Sequence, residues 1–285
     1  MKKKFVLIPL MLGIILNAQT SPNFKEKIDF RLAENSSHIL IDVKIKEQKG
    51  TFVFDTGATT TLVDAGFAKS VGIEPNFQQK ASGGGGSKVY DVALNQSFVV
   101  GNSKIDQAHF VLEDMTRMRE KLGNIDGITG NNLIKKFITE IDFDQKSIFL
   151  YNNDEKLDVK DFKTIPFEFG NNIPIPQFDI KIRQGQKWYS GKILFDSGAG
   201  ASLILNSPFE DKEKLMENSV KKIKSISNNL TGTTINTSFI IDEISIGDYS
   251  FPQVPIDLQN LLLFSYPYQK KYMHILLLFR IVKLP

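Results

Sequence analysis

The sequence predicts an all-β protein with few short helices, folded as two related lobes. Three features support this prediction: short apolar runs recur, Gly, Asn and Asp interrupt them every eight to twelve residues, and one Asp-containing segment occurs twice. In the first half of the chain, the runs with strand character are His38–Ile45, Gly50–Phe54, Val89–Leu94, Ser97–Val100, Ala108–Leu112, Phe137–Phe143 and Ser147–Tyr151.

Helical signals are few. Asp64–Val71 and Asn132–Phe137 each fit one short helix. A third segment, Glu210–Lys224, places apolar residues among charged ones at near-helical spacing, so we expect a helix there too.

Composition and charge limit the classes of protein and function. The chain has 285 residues, of which 41% are apolar and 24% charged; this excludes a disordered chain and a multispanning membrane protein. The net charge of +3 equals the charge of Lys2, Lys3 and Lys4, so no basic excess remains and we expect no nucleic-acid partner. Cysteine is absent and the three histidines lie far apart, so we expect no metal and no other cofactor.

The first segment has the pattern of a secretory signal peptide. Three lysines precede the apolar run Phe5–Leu16, and Ala18 supplies a small residue at a plausible cleavage site. A membrane anchor is the rival interpretation, but a spanning helix needs about 20 apolar residues. We therefore expect residues 1–18 to be removed and the mature protein to be exported, periplasmic or secreted, without stable insertion in the membrane.

The internal repeat is the most informative feature. Gly50–Val63 reappears as Gly191–Ile204, and each copy has an apolar run, then Asp, then a second apolar run. Asp55 in the first copy corresponds to Asp196 in the second. The repeat predicts an N-terminal lobe over 19–151, a connection over 152–173 and a C-terminal lobe over 174–285.

The paired Asp segments carry a chemical prediction. One Asp-Gly turn alone is weak evidence, because such turns are common. A carboxylate after a buried strand is costly unless it is hydrogen-bonded or reactive, and here the arrangement occurs once per lobe. Two carboxylates that meet at a lobe interface share one proton, so one acts as base and the other as acid. In the same loops, Gly57 and Gly198 permit close approach of the backbone. The hydroxyl groups of Thr56 and Ser197 can join the two loops by hydrogen bonds.

These segments resemble the two active-site motifs of retropepsin-like and pepsin-like aspartic peptidases, in particular the single-chain, two-lobed bacterial members. Phe54–Ala58 and Phe195–Ala199 carry the resemblance. Ile125–Leu133, with Gly127 and Gly130, is similar to the apolar-Gly element beside the catalytic loop in that family, also called its psi-loop. Four glycines occupy the place of the family's flap hairpin: Gly83, Gly84, Gly85 and Gly86.

The resemblance implies two pseudo-symmetric closed β-barrel lobes of the acid-protease type, with an active-site cleft between them. Together with the signal-peptide pattern, it implies an exported aspartic endopeptidase in which Asp55 and Asp196 activate a water molecule. The substrate would be a polypeptide in extended conformation held under the flap, and no cofactor would be needed. Since one chain supplies both lobes, we expect a monomer.

The second lobe departs from the family pattern. Its own apolar-Gly element is due near or somewhat beyond residue 268, but no glycine follows Gly247. We expect the tail from about residue 260 to be aberrant, either through a frameshift or premature end or as a genuine variant that closes the lobe with different strands. The alternative function is a catalytically impaired, truncated member of the family that acts only as a peptide-binding β module. A chain that does not fold stably is a third possibility.

Overall fold

The structure is a computed structural model that describes residues 24–34, 36–83, 86–160, 162–169, 175–219, 222–229, 232–259 and 277–280. These residues form eighteen β-strands, four short α-helices and one 3₁₀ helix. The prediction of an all-β protein with few short helices is therefore confirmed. The predicted signal peptide, residues 1–18, and most of the tail after residue 260 lie outside the described residues.

The largest sheet belongs to the first lobe and has eight strands in the order β2-β3-β4-β9-β5-β8-β7-β6. A further pairing between Lys44 of β3 and Val99 of β7 joins two strands that lie apart in this order. Closure of each lobe into a barrel stays a prediction. The strands are β2 (Arg31–Leu32), β3 (Ile39–Ile45), β4 (Gln48–Asp55), β5 (Thr61–Asp64), β6 (Phe77–Gly83), β7 (Gly86–Val100), β8 (Ser103–Glu113) and β9 (Gly127–Gly130).

Three short helices follow strands of this sheet: α1 (Ala65–Ser70), α2 (Thr116–Leu122) and α3 (Asn131–Ile134). Asp64 caps helix α1, because its side chain accepts a hydrogen bond from the Phe67 backbone N–H. The sequence predicted α1 closely, because a capping Asp precedes the segment and Gly72 follows it as a stop signal.

The first lobe has a dense aromatic core. Phe52, Phe54, Phe98 and Phe110 are almost completely buried. The inward residues of β3 join them, since alternate side chains of a strand point to the same face. Burial of this apolar surface is the main free-energy gain that fixes β4, and with it the position of Asp55 at the end of β4.

The second lobe forms a six-stranded sheet with its own core around Ile182, Leu215 and Ile241. The order is β13-β12-β16-β17-β14, with β15 paired to β16. The elements are β12 (Gln177–Gln184), β13 (Lys187–Leu194), β14 (Ile204–Asn206), α4 (Ser207–Glu213), the 3₁₀ helix (Leu215–Asn218), β15 (Lys222–Asn229), β16 (Gly232–Ile246) and β17 (Tyr249–Gln259).

A third sheet joins distant parts of the chain in the order β1-β11-β10-β18. Its strands are β1 (Glu26–Asp29), β10 (Ile138–Asp142), β11 (Ser147–Tyr151) and β18 (Leu277–Arg280). The tail strand β18 pairs parallel with β10, in the range predicted for the first lobe. The predicted lobe boundaries stay a prediction.

No α-helix in the described parts of the chain has both the length and the apolar character that crossing a membrane requires.

Candidate active site

Asp55 is the last residue of β4, and β9 fixes its backbone from one side. Strand β9 lies between β4 and β5, parallel to β4, with Gly130 opposite Asp55. A Cβ atom on Gly130 would clash with the carbonyl oxygen of Asp55, and one on Gly127 would clash with the Phe52 ring. Both glycines are therefore required by close packing, which is why the apolar-Gly element sits beside the Asp55 loop.

Asp196 lies two residues beyond β13 in the second lobe. Within the residues that the structure describes, β13 pairs with β12 alone, and no strand takes the position that β9 has in the first lobe. Asp196 is exposed, whereas Asp55 is half-buried. The two carboxyl groups thus have unequal surroundings.

The two Asp side chains come together across the interface between the lobes. A Cβ atom on Gly57 would lie 2.6 Å from Cγ of Asp196, and one on Gly198 would clash with the carboxyl group of Asp55. Each carboxyl group therefore packs against the glycine of the opposite loop. Residues that are 141 positions apart in sequence meet at this point, as the Thr56–Ser197 bond also shows.

Four hydrogen bonds tie the two loops together with approximate two-fold symmetry. The backbone N–H of Thr56 donates to Ser197 Oγ (3.0 Å), and that of Ser197 donates to Thr56 Oγ1 (2.9 Å). The Thr56 hydroxyl donates to the Phe195 carbonyl (2.9 Å), and the Ser197 hydroxyl donates to the Phe54 carbonyl (3.1 Å). Both hydroxyls thus donate and accept, which fixes their orientation and holds the loops in register.

Backbone N–H groups also hold the carboxyl groups in place. Asp55 Oδ1 accepts from the N–H of Gly57 (2.7 Å) and of Ala58 (3.1 Å). Asp196 Oδ1 accepts from the N–H of Gly198 (2.9 Å). Each loop therefore orients one oxygen of its carboxyl group and leaves the other available for a neighbour.

Burial and the neighbouring carboxylate raise the pKa of Asp55 to about 8. Burial is the largest cause, followed by the charge of Asp196 and a hydrogen bond with it; the N–H groups of Gly57 and Ala58 oppose the rise. The pair therefore retains a proton at neutral pH, with Asp55 as the favoured carrier. A neutral acid beside an ionised base is the arrangement needed for general acid–base chemistry.

The raised pKa of Asp55 predicts that protein stability falls as pH rises. Between pH 3.8, the usual pKa, and about pH 8, the folded chain keeps a proton that the unfolded chain has lost. The contribution of Asp55 to the free energy of unfolding is complete below pH 3.8 and is lost as the pH rises to about 8. The free energy of unfolding falls by at most about 1.4 kcal/mol per pH unit in this range. Denaturant unfolding at several pH values measures the slope.

Asp55→Asn is the control for this measurement, because it removes the titrating group and leaves all others. The free energy of unfolding of the variant should fall less between pH 5 and pH 8 than that of the wild type. Equal pH dependence in both proteins would show that Asp55 does not hold the proton.

The structure places the predicted flap only in part. Gly83 and Gly86 pair at the end of the β6–β7 hairpin, whereas Gly84 and Gly85 lie outside the described residues. The second lobe has a comparable hairpin, β15–β16, which sequence reasoning missed because part of it was assigned to a helix. The signal in the sequence is the stretch 228–234, whose Asn, Thr and Gly residues interrupt the helical pattern and are typical of a turn.

Sequence reasoning also missed His38, which lies beside the second Asp loop. Its Nε2 is 3.0 Å from the carbonyl oxygen of Gly198. In the sequence it is one histidine before an apolar run, and no local pattern marks it. Among the residues described, no three His, Asp or Glu side chains gather in a cluster of metal-binding type.

Comparison with known proteins matches part of the chain to a family model. Residues 41–133 match the family model described as aspartyl protease. None of the curated proteins matches the chain. Among solved structures, the chain is similar to a retropepsin-like aspartic protease from Rickettsia conorii, with 18% sequence identity and a TM-score of 0.33 over 44% of this chain and 90% of that chain. The family match confirms the resemblance for the segment that contains Asp55, Gly127 and Gly130.

Proposed function

We propose that this chain is an exported aspartic endopeptidase in which Asp55 and Asp196 form the catalytic pair, and the match of residues 41–133 to the aspartyl protease family model supports this proposal. The family implies a polypeptide substrate. The observation that carries the proposal is the packing of each carboxyl group against the glycine of the opposite loop. In the proposed mechanism, a single water molecule contacts both acids.

The unequal surroundings of the two acids divide their roles. Asp196, the more exposed, is the base that takes a proton from water; Asp55, with its raised pKa, is the acid that protonates the scissile carbonyl oxygen. The water oxygen bonds to the carbonyl carbon and gives a gem-diol. The C–N bond then breaks, the proton held by Asp196 passes to the leaving nitrogen, and Asp55 regains its proton from the gem-diol.

The substrate-binding part of the proposal concerns the hairpin β6–β7. A hairpin beside the cleft excludes water and pairs its backbone with an extended peptide, in the manner of an added strand. Export follows from the pattern of residues 1–18, and a monomer from the presence of both Asp loops in one chain.

A second candidate function is a peptide-binding module without catalysis. The observation that favours it is the unequal support of the two loops, because within the described residues β13 has a partner strand on one side only. A loop with less support holds Asp196 less precisely, and catalysis is sensitive to such misplacement whereas peptide binding is less so.

A library of internally quenched fluorescent peptides separates the two candidates. The protein without residues 1–18 should cleave members of the library between pH 4 and pH 7, and pepstatin should inhibit the cleavage while a metal chelator should not. Product masses would identify internal cleavage, as expected of an endopeptidase. Peptide binding without any cleavage over this pH range would contradict the enzyme and support the module.

A further inference from the structure

His38 connects the first lobe to the Asp loop of the second. It is half-buried and precedes β3, and its backbone carbonyl accepts a hydrogen bond from Ala33 N–H (3.0 Å). Its Nδ1 is 2.8 Å from Ser36 Oγ, and its Nε2 is 3.0 Å from the Gly198 carbonyl oxygen. Both ring nitrogens are therefore engaged, one within its own lobe and one across the interface.

The two partners of the ring determine its tautomer. A carbonyl oxygen only accepts, so Nε2 must carry the hydrogen and donate to Gly198. In the neutral ring Nδ1 then accepts from the hydroxyl of Ser36, which fixes the plane of the imidazole. The Nε2–H donor is also present in the protonated ring, so the bond to Gly198 does not depend on the charge of His38.

Gly198 is the residue through which His38 acts on Asp196. Its N–H donates to Asp196 Oδ1 at 2.9 Å, while its carbonyl accepts from His38 at 3.0 Å. With both polar groups of Gly198 held, the loop has little freedom to rotate. Gly198 also packs directly against the carboxyl group of Asp55, so a shift of this residue would change the distance between the two acids.

Support from His38 is given to one loop only. In the first lobe, Asp55 is backed by Gly130, and Asn131 N–H donates to the Ala58 carbonyl (3.3 Å). In the second, β13 pairs with β12 alone among the described residues. Ile39 pairs with Phe54 in the first lobe, and Phe195 N–H donates to the Pro176 carbonyl in the second. Ile175, which precedes Pro176, is therefore the counterpart of His38, which precedes Ile39. Isoleucine has no polar side-chain atom.

We propose that His38 is a positioning residue for catalysis: its Nε2–H holds the Gly198 carbonyl and thereby fixes Asp196 opposite Asp55. This inference rests on the proposed peptidase function. His38 replaces, from the opposite lobe, part of the support that β9 gives to the first Asp loop. It does not contact the substrate or exchange a proton with it.

Two substitutions separate positioning from general structural support. His38→Leu keeps a side chain of similar size but removes the donor, and we expect kcat to fall about tenfold or more with little change in KM. His38→Gln places an amide N–H near the position of Nε2, and we expect it to restore most of kcat without changing the pH profile. The corresponding His109→Leu and His109→Gln variants are the controls, since His109 is an exposed histidine.

The results that would overturn the inference are specific. Wild-type kcat in His38→Leu would remove the positioning role. Equal loss of kcat in the Leu and Gln variants, together with lower melting temperatures, would show that His38 supports the fold alone. A shifted pH profile in His38→Gln would indicate that the ring titrates during catalysis, which the proposed role excludes.

An NMR measurement tests His38 even if no peptide is cleaved, so that failure of the inference and failure of the peptidase function remain distinguishable. The ¹⁵N shifts of the His38 ring should report hydrogen on Nε2 at neutral pH, and the Gly198 amide shift should change in His38→Leu but not in His109→Leu. Hydrogen on Nδ1, or an unchanged Gly198 signal, would overturn the contact itself.

Discussion

Asp55→Asn and Asp196→Asn are each expected to lower kcat/KM for peptide cleavage by about a thousandfold or more, the scale of general acid–base catalysis. Asparagine keeps the shape of the side chain but does not accept and return a proton. Either substitution therefore leaves one carboxyl group, which cannot serve as base and acid in the same step. Steady-state cleavage of an internally quenched peptide, with the melting temperature of each variant, measures the effect.

Asp106→Asn is the matched control, because Asp106 is an exposed carboxylate that pairs with Lys104 on the surface. It should retain wild-type kcat/KM. Activity that survives in Asp196→Asn but not in Asp55→Asn would exclude a catalytic pair and leave a mechanism with one carboxylate. Loss of cleavage accompanied by loss of folding would instead assign Asp55 or Asp196 a structural role.

Gly130→Ala should produce the largest loss of stability among single substitutions near the site. The new Cβ would clash with the backbone carbonyl oxygen of Asp55, and backbone atoms cannot move aside as a flexible side chain can. Strand β9 would have to move away from β4 and break the pairing that supports Asp55. We expect the free energy of unfolding to fall by about 3 kcal/mol, as for severe overpacking of a core, and kcat to fall with it.

Gly191→Ala is the control for this substitution. Gly191 is the glycine at the start of the second repeat, and a Cβ there would lie 3.6 Å from the Phe209 ring, an ordinary contact. Its effect on the free energy of unfolding should stay within about 1 kcal/mol. If Gly130→Ala unfolds at the same denaturant concentration as the wild type, β9 does not constrain the Asp55 backbone.

Local sequence patterns predicted strand β4 correctly but failed for a helix in the second lobe. The apolar run before Asp55 predicted β4, because a strand buried on both faces shows continuous apolar residues. The segment Glu210–Lys224 was expected to be one helix, and that prediction is wrong: the chain forms α4 and a 3₁₀ helix, and β15 begins at Lys222. Near-helical spacing there was overridden by strand pairing of β15 with β16, which only the folded sheet supplies.

The sequence by itself determined which residues stand in the two loops: an Asp, a hydroxyl residue and a glycine in each copy, with the glycines of β9 beside the first. These features lie within short segments of the sequence, so they are recognisable without knowledge of the fold. Tertiary structure alone decided that Asp55 is the more buried acid, that His38 contacts Gly198, and that the tail strand Leu277–Arg280 pairs with β10. Such contacts join residues far apart in the chain, and their geometry exists only once the sheets have packed.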